Sequence, residues 1–330
     1  MSITARQGQK GLSLIELMIA VVLGIFITGG MLQLFVNSKQ SYRVQENLSR
    51  LQENGRFAMG FITKDIRMVD YWGCLKSTSG IENNLNASAT FNTFTSAVEA
   101  ADNNAVVDAV INGTDTITLK GAFGSGAYVT QIPANTSAAF KVEDNSDLEE
   151  NELVIISDCI DGDLFQITND PSVGGAGFDN IIHNTGAVSS GPGNANKPFK
   201  KIYGTDAQIL KLNFATYSIQ SNPSGIPALY RSINGSVPQE LIEGVENMQI
   251  LYGEDTDNDK TPNNYLPAGT AGLNLDNVIS IRVSLLIRTL EDKIATQSQP
   301  YTIFGVTTTP ADRIFRRVFT STIALRNRLP

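Results

Sequence analysis

The most prominent hydrophobic feature is a stretch without a charge. From Leu17 to Val36 the chain reads LMIAVVLGIFITGGMLQLFV, about 20 residues, long enough to cross a hydrocarbon core as a helix. After Val36 the apolar positions thin to a stripe: Val44, Leu48, Leu51, Ala58, Ile62, Ile66 and Val69. Lys39, Arg43, Glu46, Arg50, Glu53, Arg56, Lys64 and Asp65 fill the positions between. Spacings of three and four mark one face of a helix, and packing against a globular part is the plain reading of that face. One helix is therefore predicted from Leu12 to about Val69, roughly 87 Å long at about 1.5 Å per residue. Gly24, Gly29, Gly30, Gly55 and Gly60 interrupt it. Each costs about 1 kcal/mol relative to Ala, so these are the expected places for bending.

From about residue 70 the period changes to two. TITLK (116–120), ELVIIS (152–157), DLFQIT (163–168) and QILKLNFATYSI (208–219) read as strands. The clearest is Val278–Arg288, where Ile279, Ile281, Val283, Leu285 and Ile287 form one apolar face. Arg317–Arg328 alternates more weakly. Gly-, Asn- and Ser-rich loops are expected at 79–104, 170–198 and 255–277, and no internal repeat is seen. Strands after one long helix, without regular helix–strand alternation, predict an α+β fold: a long amino-terminal transmembrane and amphipathic α-helix packed on a mainly antiparallel β-sheet domain.

Composition narrows the function. The chain has 330 residues, 42% of them hydrophobic and 18% charged, enough to bury a core. Its net charge of −8 gives no global footprint for nucleic acid. One histidine, His183, and two cysteines, Cys74 and Cys159, rule out a His-rich metal centre, a four-cysteine or two-Cys, two-His zinc site and a CxxC redox motif. GxxxxGK[ST] is missing, so P-loop chemistry is not supported. A Ser-His-Asp triad would have to use His183, which sits in a Gly/Asn/Ser-rich stretch and reads as a loop residue. No enzyme is expected.

Arg6 and Lys10 precede the apolar run. By the positive-inside rule they stay cytoplasmic, and the rest of the chain lies outside. A secretory signal peptide would end in a small-residue cleavage site, but none follows Val36. Glu16 is out of place at the start of an apolar helix. On insertion scales such a carboxylate costs about 2.5–3.5 kcal/mol at the helix centre and less near an interface, so it needs a partner or a reason.

Gly11, followed by Leu12-Ser13-Leu14-Ile15-Glu16 and then the apolar helix, resembles the class III signal of type IV prepilins and pseudopilins. The resemblance implies a cut between Gly11 and Leu12, methylation of the new Leu12 amine, and an assembly role for Glu16 at the fifth mature position. The family's usual first residue is Phe; here it is Leu. In a bundle of apolar helices Glu16 needs a counter-charge, which the amine of a neighbouring subunit would supply while fixing axial register. The expected organisation is a cytoplasmic leader, 1–11, cleaved; a transmembrane and filament-core helix, 12–36; an amphipathic helix, 37–69; and a periplasmic β-rich domain, 70–330.

DIRMVDYWGC (65–74), SDCIDGDLFQIT (157–168), LIEGVENMQILYGEDTDND (241–259), VSLLIR (283–288) and FRRVFTSTIALRNR (315–328) are similar to the PilW family of type IV pilus minor pilins. That implies a subunit that primes pilus assembly and sits at the pilus tip, supporting twitching motility, adhesion or DNA uptake. The implied partners are other minor pilins, the major pilin, the prepilin peptidase and methyltransferase, the inner-membrane assembly platform and a tip adhesin. The implied location is the inner membrane, single-pass, and then the pilus. The J-type minor pseudopilin of type II secretion shares the signal and the helix and is the alternative.

Two cysteines in a domain placed in an oxidising compartment point to a Cys74–Cys159 disulfide, against two buried thiols. Asp255, Asp257 and Asp259 have the alternate spacing of a calcium loop, but Lys260 stands at its Gly position and Leu266 at its Glu position. Weak calcium binding or a solvated turn is expected, and no other cofactor. Asp158, Asp161 and Asp163 read as a turn with Gly162. Tyr71 and Trp72 read as packing. Arg313, Arg316, Arg317, Arg326 and Arg328 read as a solvated strand face, with nucleic-acid contact left open.

Overall fold

In a computed structural model, which describes residues 13–75, 80–86, 96–103, 110–174 and 177–329, helix α1 runs from Leu14 to Met68. It passes through the border between two compact units, 1–50 and 51–330.

In the first unit, every large apolar side chain of α1 from Leu14 to Val36 that the membrane stretch supplies is exposed, Phe26 at 82%. A bare apolar helix of this length needs lipid or other helices around it.

In the second unit, Leu51, Ala58, Ile62, Ile66 and Val69 are buried in the main core. From Leu51 on, the predicted stripe is thus the face that packs on the sheets. The helix stops because Asp70 takes a left-handed φ of 63° and its amide leaves the helix for the carbonyl of Lys120 at 3.0 Å.

The strands, in chain order, are β1 (Ile81–Asn83), β2 (Val98–Ala101), β3 (Thr116–Gln131), β4 (Phe140–Val142), β5 (Leu153–Ser157), β6 (Gly162–Gln166), β7 (Asp179–Ile181) and β8 (Gln208–Ser221). They continue as β9 (Pro227–Ile233), β10 (Gln239–Glu243), β11 (Val245–Glu254), β12 (Asn264–Leu266), β13 (Val278–Arg288), β14 (Tyr301–Ile303), β15 (Val306–Thr308) and β16 (Arg316–Ala324). The larger sheet is ordered β1-β6-β5-β8-β3-β4-β7, with β9 also on β8, β10 on β9 and β2 on β3. The second sheet is β12-β11-β13-β16, and β14 and β15 form a hairpin. Among the described pairs only β1–β6 is parallel. The fold is α+β, one helix on mainly antiparallel sheets.

The larger sheet is buried on both faces. Along β5, Leu153 and Ile155 enter the core under α1, while Val154 and Ile156 face a second core with Phe140, Phe165, Phe199 and Tyr203. Such a strand reads as a continuous apolar run.

Several expectations need correction. Strand 116–120 continues to Gln131. Its second half, GAFGSGAYVTQ, has no alternation, and its ladder to β8, with a bulge between Phe123 and Ala127, holds it extended. The predicted loops at 79–104, 170–198 and 255–277 contain β1, β2, β7 and β12. These three- and four-residue strands are set by pairing, too short to leave a period. The polar face of β13 is covered as well: Ser284 Oγ lies 2.9 Å from Thr320 Oγ1, and Ser280 Oγ 2.9 Å from Tyr265 Oη. Strand 317–328 ends at Ala324, and a 3₁₀ turn follows at Arg326–Arg328.

Gly121 is required where β3 meets the end of α1. A Cβ there would lie 2.7 Å from the carbonyl oxygen of Met68. Without it, the Ala122 amide reaches the carbonyl of Tyr71 at 2.6 Å, joining the helix end to the sheet.

Candidate functional site

The expected cleavage pair, Gly11 and Leu12, lies outside the described residues. Just after it, Ser13 and Glu16 form a reciprocal cap. The Ser13 amide donates to Glu16 Oε2 at 3.0 Å, and the Glu16 amide donates to Ser13 Oγ at 3.2 Å. This is the S-x-x-E capping box, which satisfies two amides a helix start would leave bare. The same carboxylate that is costly in lipid thus begins the helix, a local reason for Glu16 beside any intersubunit one. The spacing Ser13-x-x-Glu16 was readable from sequence.

At the other end of α1, Cys74 and Cys159 are joined in a disulfide with Cα atoms 4.7 Å apart. It ties the segment after the helix to the β5–β6 turn. The carboxyl terminus holds the same place. Asn327 Nδ2 donates to the Val69 carbonyl at 2.8 Å, and Arg328 Nε to Asp70 Oδ2 at 2.7 Å. Arg328 Nη1 also donates to the carbonyls of Leu275 and Val278, and Trp72 Nε1 donates to Asp70 Oδ1 at 2.7 Å. Trp72 is core, as expected.

The carboxyl-terminal arginines are therefore not one solvated face. Arg328 is half-buried in this clamp, and Arg316 is gripped by Glu246 and Asp312. Hydrogen bonding from Arg316 holds the Asp312 carboxyl down to about 2. Arg313, Arg317 and Arg326 are exposed. No sequence period marks this division, because Glu246 and Asp70 lie far away in the chain from Arg316 and Arg328.

A groove of about 840 Å³ runs between residues 55–71 and the open side of β16. Its base includes Met59, Tyr71 and Phe319, all half-buried on the core. Gly55 is pressed against the Phe319 ring, whereas a Cβ on Gly60 would meet nothing within 4 Å. Arg56, Lys64, Arg67 and Arg326 line it, all exposed. Among the described residues none of the four forms an ion pair. Several cations of the domain body do: Lys120 with Glu99, Lys200 with Asp161, Lys211 with Glu152, Arg231 with Asp65.

Asp158, Asp161 and Asp163 do not converge as a ligand set. Lys201 binds Asp158 and Asp161, Lys200 binds Asp161 at 2.5 Å, and Asp163 is buried in β6 under Tyr203 Oη at 2.5 Å. The ligand oxygens of Asp255, Asp257 and Asp259, by contrast, lie within 4.8 Å of one another.

His183 lies outside regular structure but is buried, 1% exposed, stacked 4.1 Å from Phe199. Its Nε2–H donates to the Lys197 carbonyl at 3.1 Å, leaving Nδ1 bare of partners. Burial pushes its pKa down to about 4. The unfolded chain takes up this proton near its ordinary pKa of about 6.5, and the folded chain only near 4. Stability from this group is therefore complete above pH 6.5 and lost as pH falls towards 4. Between pH 7 and 5 the expected loss is about 2 kcal/mol. Urea unfolding of wild type and His183→Gln at both pH values isolates it. Equal pH slopes in the two proteins would show that His183 does not carry the effect.

Comparison with known proteins agrees with this anatomy at both ends. Residues 216–327 match the family model for type IV pilus-assembly protein W, PilW. They comprise the end of β8, β9 to β16 and Asn327 of the clamp on α1. Residues 6–32 match the prokaryotic N-terminal methylation motif. No curated protein and no solved structure matches the chain. An apolar, capped helix bearing the methylation motif fits a membrane-anchored pilin. The chain thus carries a prepilin-type methylation motif at its amino terminus and a carboxyl-terminal region that matches the PilW family model.

Proposed function

We propose that this chain is a minor pilin that primes type IV pilus assembly and is carried in the tip complex. The observation that supports it most is the presence of both family matches on one chain, the amino-terminal one on a helix whose apolar half is bare. In this reading the peptidase cuts between Gly11 and Leu12, Leu12 is methylated, and residues after the membrane stretch lie in the periplasm before assembly. The partners are other minor pilins, the major pilin, the assembly platform and a tip adhesin. Deletion of the gene tests the reading. Loss of surface pili and twitching with normal type II secretion supports it. Intact pili with lost secretion would make the chain a pseudopilin instead.

The groove beside α1 fits one class of partner within this complex: the amphipathic helix of a different pilin, with acidic residues flanking its apolar stripe. Charge selects it. Between Asn37 and Met68 this chain has six cations and three carboxylates, so its own helix in a second copy would meet the groove's cations with like charge. Gly60→Leu fills the groove without touching the fold, and Leu exceeds Gly in helix propensity by roughly 0.8 kcal/mol. The variant is expected to keep its melting temperature and lose at least tenfold in capture of a purified acidic-helix pilin from the same cell. Unchanged capture would move the contact elsewhere.

A further inference from the structure

We propose that Asp255, Asp257 and Asp259 hold a calcium ion at the end of β11. Carboxylates at alternate positions supply three oxygens within 4.8 Å of one another. Oxygens bound to one calcium at about 2.3–2.6 Å can lie no farther apart than about 5 Å. The spacing therefore suits one ion without rearrangement of the loop.

A second, independent feature points to a missing ligand. Asp255 is 4% exposed, and its Oδ1 is buried with no hydrogen-bond partner. Only its other oxygen, Oδ2, is served, by the Lys260 amide at 2.9 Å. A buried carboxylate oxygen without a donor is costly, and a cation among the three carboxylates would remove that cost. No lysine or arginine among the described residues pairs with any of the three. Asp158 and Asp161, the other acidic pair near a turn, have Lys200 and Lys201.

The donors are all hard oxygens, with no His or Cys. That favours calcium over zinc, and an open loop tolerates calcium's irregular shell better than the strict octahedron of magnesium. Backbone carbonyls and water would complete the coordination. Lys260 sits where such loops usually place Gly and takes the left-handed φ, 69°, which that position needs. With Leu266 in place of a bidentate Glu, affinity falls in the millimolar range of extracellular modules.

The loop is tied to the domain at both sides. The Asp255 amide donates to the Asn277 carbonyl at 3.0 Å, and Asn263 Oδ1 accepts from the Thr256 amide at 2.7 Å. An ion here would fix the β11–β12 connection and make the outer edge of the second sheet responsive to ambient calcium.

The test uses the full mature chain in detergent. Melting is followed with 10 mM calcium chloride, with 10 mM magnesium chloride, and with neither, at constant ionic strength. For a site of about 1 mM affinity, calcium should raise the melting temperature by about 3–5 °C and magnesium by much less. Asp257→Asn/Asp259→Asn changes two exposed side chains and should abolish the calcium response while leaving the protein folded. Equal responses to calcium and magnesium, no response to calcium, or an undiminished calcium response in the double variant would each overturn the proposal.

Discussion

A strain whose only copy carries Glu16→Val is expected to make the protein, insert it, cleave it to a Leu12 terminus and form its disulfide, yet fail to build it into pili. Two different losses are combined in that variant: the Ser13–Glu16 cap and the carboxylate charge. Glu16→Gln separates them. A Gln at this position still closes a capping box, so the helix start survives while the charge does not. If the carboxylate acts as counter-charge to a neighbouring subunit's amine in a low-dielectric bundle, Gln fails as Val does, because one charge of the pair is then left unpaired. Immunoblots of sheared pili, with mass spectrometry of the amino terminus, give the readout. Normal incorporation of the Gln variant would assign Glu16 to helix capping alone. Normal incorporation of the Val variant would remove it from assembly altogether.

Cys159→Ser should lower the stability of the sheet domain by about 2–5 kcal/mol and cut its abundance in the cell. The bond closes a loop spanning 85 positions, for which the chain-entropy relation gives about 4–5 kcal/mol. Its site explains why the cost falls on the helix contact in particular. Cys74 follows the turn where α1 ends, and Cys159 projects from the β5–β6 turn. Without the bond, the Asp70–Arg328 and Asn327 contacts, the backbone bonds to Lys120 and Ala122 and the apolar stripe are left to hold the helix end. Both cysteines are exposed, so a reductant should act on the folded protein and reproduce the variant. Chemical denaturation of wild type, Cys159→Ser and Cys74→Ser/Cys159→Ser decides it. Equal midpoints for all three would show that the bond contributes nothing. A single variant much worse than the double would point to the lone thiol.

The outline of the fold was legible because its main determinants are local. Leu17–Val36 is apolar by composition alone, and the stripe from Leu51 to Val69 repeats every three or four residues. Val278–Arg288 was readable end to end, since an alternating strand with turn signals beside it has few other solutions. The amino-terminal signal was equally local, a Gly, a Glu five positions on and an uninterrupted apolar run. Ser13 was legible in principle, because a capping box spans only four residues.

What the sequence left open depends on residues that meet only after folding. β1, β2, β7 and β12 are strands because a neighbour pairs with them, and three or four residues carry no measurable period. β13 reads as one-sided, yet its serine face is covered by hydroxyls of β12 and β16. His183 reads as a loop residue, and only the folding of Phe140, Phe165 and Phe199 around it makes it a buried neutral imidazole. Five carboxyl-terminal arginines read alike. Tertiary structure divides them, placing Arg316 and Arg328 in ion pairs with residues up to 258 positions away and leaving Arg326 beside three unpaired helix cations. Sequence alone determined the long apolar helix, the methylation motif and the sheet class, since those rest on hydrophobic period and short spacing. Pairing of charge, burial of polar atoms and the shape of the groove were decided by the tertiary fold, because each depends on distances between segments that the order of residues does not encode.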